Sequence, residues 1–200
     1  MHGATVKKGR LQELAGEFYE AVLTPTRWPE VVKLTCTIFD VPYALVYSPF
    51  AARIGLDPLW IHNADPELIE TYVAKYAHDD LVAQAQWRLM PADRLTATYR
   101  ELIGDDVWEA WGFYQELCKP RGVWNGITVA VQATDYRATN LTLFTPPWSA
   151  GREARAKAAL CWLADHFDRA VRLHWKVSAG QRQDVAARIS LDLLDVGVVW

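Results

Sequence analysis

The sequence predicts an α+β protein, an α-β-α sandwich with a central antiparallel sheet flanked by helices. Three observations predict it. Apolar residues recur at helical spacing in several separate segments. The strand-like segments come as neighbouring pairs, "VPYALVYSPF" with "LWIHN" and "VWNGITVAVQ" with "ATNLTLF", as antiparallel partners do. The order of elements, α-α-β-β-α-α-α-β-β-α-α, lacks the strand–helix alternation of a parallel sheet. With 200 residues the chain is long enough for one large domain and buries enough surface to need no disulfide staples.

Each element has its own signal. In "RLQELAGEFYEAVL", Leu11, Leu14, Phe18, Ala21 and Val22 form a helical stripe that ends at "TPTRW". "WPEVVKLTCTIFD" has Pro29 in its first turn and Val32, Cys36 and Phe39 along one side, a second helix. "VPYALVYSPF" (Val41 to Phe50) is short, aromatic and β-branched, a strand, and "LWIHN" is its partner. Asp65 followed by Pro66 is a helix start, with Leu68 (or Ile69), Tyr72 and Tyr76 following at helical spacing. "LVAQAQWR" is a further helix after a break near Asp80.

"LMPADRLTATY" reads as a loop. "GDDVWEAWGFYQELCKP" reads as one helix, with Trp108, Trp111, Tyr114 (or Gln115) and Cys118 inward. Next comes a hairpin with arms near residues 124–132 and 138–144, in which Ile127, Val129 and Val131 alternate with Thr128, Ala130 and Gln132. Ser149–Lys176 is the longest helix, with Ala156, Leu160, Leu163, Phe167, Val171 and His174 as its buried stripe. Ser178–Val196 is one more helix, with Val185, Ile189 and Leu193 on one side, and "GVVW" begins a strand-like pattern without a partner.

The totals exclude several functions. A net charge of −3 gives no basic face for phosphate contacts, so this segment is not expected to bind nucleic acid by itself. Cys36, Cys118 and Cys161 are widely spaced and odd in number, which fits reduced thiols in a cytoplasmic protein better than a disulfide framework. The N-terminus lacks the apolar core of a signal peptide, and no apolar run is long enough to span a membrane. Ten tryptophans are far more than a domain of this size needs, and such rings fill cores, ligand pockets or interfaces.

No enzyme motif is present. The histidines, His2, His62, His78, His166 and His174, are scattered, so no metal site and no cofactor are expected. Cys36 and Cys161 fall on apolar stripes and are expected to be buried. Asp105 and Asp106 open a helix, where negative charge is favoured. The other acidic pair, Asp79 and Asp80, stands between two helices among aromatic residues. One of the two caps the second helix, and the other must find a hydrogen-bond donor in its apolar surroundings. Asp79 is read as the capping or solvated residue and Asp80 as the inward one.

Several segments together resemble one family. "GVWNGITVAV" resembles the Gly-x-x-x-Gly-Ile/Val-Thr segment of the N-terminal sensor domains of LuxR-type transcription factors. "PELIETYVAKYAHDDLV" is similar to their Pro-Glu-x-Trp-x-x-x-Tyr…Asp-Pro-Val helix. "FYEAVLTPTRWPEVVKLTCTIFDVPYALVY" resembles the opening of that group, and "FDRAVRLHWKVSAG…LDLLDVGVVW" its exit helix and connector. The resemblance implies a GAF/PAS-like α-β-α sandwich over residues 1–177. It implies that 178–200 are a connector helix toward a C-terminal helix-turn-helix domain absent from this chain. It also implies a homodimer that binds DNA only through that domain.

The family's usual ligand is an acyl-homoserine lactone in a buried pocket. By the same resemblance Asp80 accepts the ligand amide N–H, Tyr72 donates to the acyl carbonyl, Gly126 is the family glycine, and Tyr99 is a second pocket aromatic. Leu68 stands where the family has a tryptophan that donates to the lactone carbonyl, and Leu81 replaces the proline after the Asp. These departures fit a relative that reads another small molecule, or one whose pocket is lost. The expected pocket lies between Tyr43, Leu45, Tyr47, Val129 and Val131 of the sheet and the helices carrying Tyr72, Tyr76, Asp80, Trp108 and Trp111. The expected function is a small-molecule sensor that controls dimerisation and DNA binding. The alternative is a ligand-free dimerisation or protein-interaction module, with every aromatic in a closed core.

Overall fold

The computed structural model describes residues 7–47, 59–89, 94–134 and 137–195. Two helices come first, α1 (Lys8–Leu23) and α2 (Trp28–Phe39), joined by a 3-10 turn at Pro25–Arg27. Strands β1 (Tyr43–Tyr47) and β2 (Leu59–Ile61) follow, then α3 (Pro66–Lys75) and α4 (Leu81–Leu89). Next are β3 (Arg94–Thr98), α5 (Tyr99–Ile103) and α6 (Asp105–Ala110), the hairpin β4 (Asn125–Thr134) and β5 (Arg137–Thr145), and the long helix α7 (Ala150–Asp195). The five strands form one sheet in the order β2-β1-β5-β4-β3, antiparallel throughout. Helices cover both faces, as the α+β sandwich requires.

Strand alternation decides what each face carries. Ile127 pairs with Leu143 and Val129 with Leu141, so these residues share one face, together with Ala44 and Val46 of β1. That face packs on α1, α2 and α7 through Leu14, Phe18, Val31, Val32, Leu160, Leu163 and Phe167, all without solvent exposure. The expected stripe of α7, from Ala156 to His174, is buried along its whole length. The opposite face carries Tyr43, Leu45 and Tyr47 of β1, Thr128 of β4, and Thr142 and Phe144 of β5. Helices α3 to α6 lie over it.

Four expectations need correction. "RLTAT" is not loop but the edge strand β3, paired with β4 from Arg94↔Val131 to Thr98↔Ile127. Such a short strand is defined by its partner's backbone more than by its own pattern. It runs straight into α5 through a capping box, in which the Thr98 hydroxyl accepts from the Glu101 N–H and the Glu101 carboxylate accepts from the Thr98 N–H. The single helix expected over 104–120 is broken at Trp111, whose backbone is extended (φ −69°, ψ 130°). A π-helical turn, Tyr114–Cys118, and a 3-10 turn, Lys119–Arg121, continue it.

The two helices expected at the end of the chain are one, α7, since Gly180 alone does not interrupt a helix. Cys161 is exposed, one position off the stripe that buries Leu160, while Cys36 and Cys118 are buried. The end of the "VPYALVYSPF" strand beyond Tyr47, the side chains of Val185, Ile189 and Leu193, and "GVVW" lie outside the described residues.

Candidate ligand-binding site

Between the second sheet face and α3, α4 and the 111–118 segment lies a cavity of about 480 Å³. Its size is that of a pocket for a small organic molecule. The sheet supplies Tyr43, Leu45, Tyr47, Ile61, Asn140, Thr142 and Phe144. The helical layer supplies Leu68, Tyr72, Asp80, Val82, Gln86, Tyr99, Trp111, Phe113 and Leu117. Val73 also lines it and is 62% exposed, so the cavity opens to solvent beside α3.

The polar centre of the cavity is built by two consecutive helices. The Asp65 side chain caps α3 by accepting from the Leu68 N–H at 2.7 Å, with Pro66 in the first turn. Tyr72 sits in the last turn of α3. After the 3-10 turn Ala77–Asp79, Asp80 takes extended backbone angles and starts α4. Its Oδ1 accepts from the Val82 and Ala83 N–H groups at 2.8 and 2.9 Å, and its Oδ2 accepts from the Tyr72 hydroxyl at 2.7 Å. The cap and the inward carboxylate are therefore the same residue. Asp79, the residue expected to cap, has a side chain 73% exposed beside His78.

Asp80 also sets the electrostatics. Burial pushes the hydroxyls of Tyr72, Tyr99 and Tyr47 above the ordinary phenol value, and the negative charge of Asp80 pushes each further. All three phenols therefore keep their protons and remain donors at neutral pH. The Cys118 thiol, also on the cavity wall, is pushed up by burial and is a poor nucleophile. The arrangement offers oriented hydroxyls and one carboxylate to the cavity.

A second polar group lies on the floor. The Gln86 amide and the Thr142 hydroxyl both donate to the Thr128 hydroxyl, at 3.3 and 3.0 Å, and the Thr142 hydroxyl is in turn a hydrogen-bonding neighbour of Tyr99. Tyr99 is held flat over Gly126: a Cβ there would stand 2.7–2.8 Å from three carbons of the ring. Its other neighbours are Trp108 and Phe144, edge-on at 5.4 and 5.9 Å. Gly126 is thus needed for close approach of an aromatic ring.

Of the residues expected at the site, Tyr47, Tyr72, Asp80, Tyr99 and Trp111 line the cavity, and Tyr76, Trp108 and Val129 do not. Val129, with Val131, points to the opposite face of the sheet, because the residues of β4 that line up with Thr142 and Phe144 are Thr128 and Gly126. Trp108 is fully buried behind the wall, its indole N–H donating to the Trp124 carbonyl at 3.0 Å. Tyr76 lies outside, edge-on to Trp111 and Phe113, with its hydroxyl on Glu116.

The pattern missed Gln86, Thr142, Asn140, Phe113 and Phe144. Hairpin register would have found two of them, since Phe144 opposes Gly126 and Thr142 opposes Thr128. Most of the tryptophans have other duties. Trp28 and Trp60 stack at 5.2 Å under α7, and Trp124 and Trp148 lie beneath the guanidinium groups of Arg100 and Arg152, each at 4.2 Å. Among the described residues no group of three or more His, Cys, Asp and Glu could hold a metal ion, and no helix is long and apolar enough to cross a membrane.

No protein-family model matches the sequence, and no curated protein does. Solved structures do match. The ligand-binding domain of VqsR from Pseudomonas aeruginosa superposes with a TM-score of 0.58 at 16% identity, over 81% of this chain and 96% of that one. CepR2 from Burkholderia cenocepacia, described as an N-acylhomoserine lactone dependent LuxR family transcription factor, gives 0.50 at 16% identity, over 82% and 96%. SdiA in complex with octanoyl-rac-glycerol gives 0.50 at 12% identity, over 84% of this chain and 64% of that one. The chain has the fold of the ligand-binding domains of LuxR-type regulators.

Proposed function

We propose that this chain is the sensing domain of a LuxR-type transcriptional regulator and that it binds a hydrophobic or amphipathic small molecule in the cavity over β1, β5 and β4. The observation that carries the reading is the cavity itself: about 480 Å³, walled by aromatic and aliphatic side chains, with Asp80 and Tyr72 hydrogen-bonded to each other at its edge. A closed interaction module would have filled this space, because voids of that size cost stability. The fold supports the same reading. Lipid-like ligands fit it as well: CepR2 is described as acyl-lactone dependent, and SdiA is seen with an acylglycerol. Tyr72, Asp80, Tyr99, Tyr47 and Trp111 are the residues we assign to ligand contact. We read the chain as a regulator with no catalytic step.

Residues 1–177 form the sensing unit in this proposal. The rest of α7 is the connector toward a separate DNA-binding domain, and the protein works as a homodimer in the cytoplasm. Ligand acts by linkage, since a molecule that binds only the folded form stabilises it. At a hundredfold excess over Kd the gain is about 2.7 kcal/mol. For a domain of this size that raises Tm by about 5–11 °C.

The test is a thermal-shift panel of acyl-homoserine lactones, monoacylglycerols, fatty alcohols and amines, together with native mass spectrometry of the purified protein. A shift of that size, or a small molecule carried through purification, is the expected result. Absence of both, with a dimer of bare mass, refutes the sensor and leaves the interaction module.

A further inference from the structure

The inference concerns the charge of the ligand, and it rests on reading the cavity as a ligand site. Asp80 brings a carboxylate to the wall of a mainly aromatic cavity, and its partners among the described residues are neutral: two backbone N–H groups and the Tyr72 hydroxyl. Among the described residues no Lys, Arg or His side chain pairs with it. Arg121, the cationic residue of the lining, is engaged with Asp65 Oδ2 at 3.5 Å and the Leu117 carbonyl at 3.2 Å. The N-terminus of α4 offsets only about half a charge.

A carboxylate has about four acceptor sites. Oδ1 uses two and Tyr72 uses one, which leaves one on Oδ2. Close to Asp80 the lining adds few donors that could meet a neutral acceptor of a ligand, beyond the Tyr47 and Tyr99 hydroxyls. The Tyr72 hydrogen is spent on Asp80, Leu68 has none, and Asn140 Oδ1 is a buried acceptor with no partner.

A partly buried carboxylate without a counter-charge, ringed by aromatic faces, is the complement of an ammonium group. A charge-assisted hydrogen bond is about twice as strong as a neutral one. An ammonium within reach of aromatic faces gains further, in the range of 0.5–2 kcal/mol as an order of magnitude. Tyr47, Tyr72 and Tyr99 lie within electrostatic reach of Asp80, and Trp111 and Phe113 line the same cavity. We propose that the cavity takes an amphiphile bearing a protonated amine, the ammonium on Asp80 Oδ2 among these rings and the apolar part against Leu45, Ile61 and Leu68.

The test uses the full chain and four probes, three of them eight-carbon amphiphiles: n-octylammonium, n-octanol, octanoate and N-octanoyl-homoserine lactone, titrated calorimetrically at pH 7. The expected order is octylammonium at least tenfold tighter than octanol, with octanoate weakest, and the lactone no tighter than octylammonium. Asp80→Asn, which keeps a side-chain oxygen for the α4 cap, removes the octylammonium advantage over octanol.

Octanol or octanoate binding as tightly as octylammonium overturns the proposal in the wild-type protein alone. So does an advantage that survives in a folded Asp80→Asn variant. If the alcohol or the lactone binds and the amine has no advantage, the cavity remains a ligand site and only the charge assignment fails. If none of the four binds, the charge assignment fails, and the sensor reading is decided by the wider panel and native mass spectrometry.

Discussion

Gly126→Ala tests how the sheet shapes the cavity. The new Cβ would stand 2.7 Å from the Tyr99 ring, and ordinary contact begins at 3.4 Å, so ring and strand must separate by about 0.7 Å. The strand has little room to yield: Gly126 is paired in register with Phe144 of β5, and its N–H donates to Asn125 Oδ1 at 2.9 Å. The ring cannot retreat toward Trp108 or Phe144, which it already touches edge-on. Only the cavity side is free, so Tyr99 moves into the space that a ligand would fill. Overpacking of this kind costs about 1–3 kcal/mol. The expected result is a loss of that size in urea denaturation, a Tm lower by about 2–4 °C per kcal/mol, and weaker binding of any cavity ligand. In a Tyr99→Leu background the same substitution should cost under about 0.5 kcal/mol, because the clash is gone. A Gly126→Ala protein as stable as wild type, or an equal loss in both backgrounds, refutes the reasoning.

Tyr72→Phe leaves Asp80 Oδ2 without its protein donor and should cost about 1–3 kcal/mol in urea denaturation. Because the Tyr72 hydroxyl holds its proton to higher pH in the folded state than unfolded, its stabilisation is full below pH 10 and is lost as pH rises above it. The variant should therefore show a fall above pH 10 that is shallower by up to one proton, about 1.4 kcal/mol per pH unit. His174 behaves in the opposite sense. Burial against Trp28 and Trp60 lowers its pKa below 6.5, so the unfolded chain takes up the proton first and stability is lost as pH falls below that value. His174→Gln should flatten the stability profile below pH 6.5 by up to the same slope, and an unchanged profile would contradict it. Leu68→Trp places an indole donor on the cavity wall. It should raise affinity for N-octanoyl-homoserine lactone by up to about tenfold, one hydrogen bond's worth, measured by calorimetry.

The fold was legible where the pattern is local. The stripe of α7 and the alternation of β4 each state their own burial, and the Asp65-Pro66 start of α3 states its own cap. What failed was what depends on a distant partner. Strand β3 exists because β4 offers it backbone groups, although the Thr98…Glu101 capping box beside it was there to be read. Val129 illustrates the limit at the site. Alternation showed that it is buried but not on which side of the sheet the cavity lies, because both faces are covered and the hydroxyl-bearing face, Thr128 with Thr142, is the one that borders the cavity. Asp80 was assigned inward and Asp79 to the cap. The structure gives both duties to Asp80, since a carboxylate has two oxygens and the 3-10 turn aims one at each task.

That division of Asp80 ties the site to the fold. The two layers of the sandwich are unequal: on the α1, α2 and α7 side Leu14, Phe18, Leu160, Leu163 and Phe167 are completely excluded from solvent, while on the other side Trp108 alone reaches that state among its cluster. The first layer is therefore the main source of stability, and the second is held by ring edges and a few hydrogen bonds around an open space. Regions with fewer buried contacts open at lower cost. A group arriving at Asp80 Oδ2 meets the residue that starts α4 and secures Tyr72 of α3, so occupancy of the cavity is felt directly by both helices of the weaker layer. Under the proposed sensing reading, binding energy goes into α3 and α4 and leaves the core beneath α7 undisturbed.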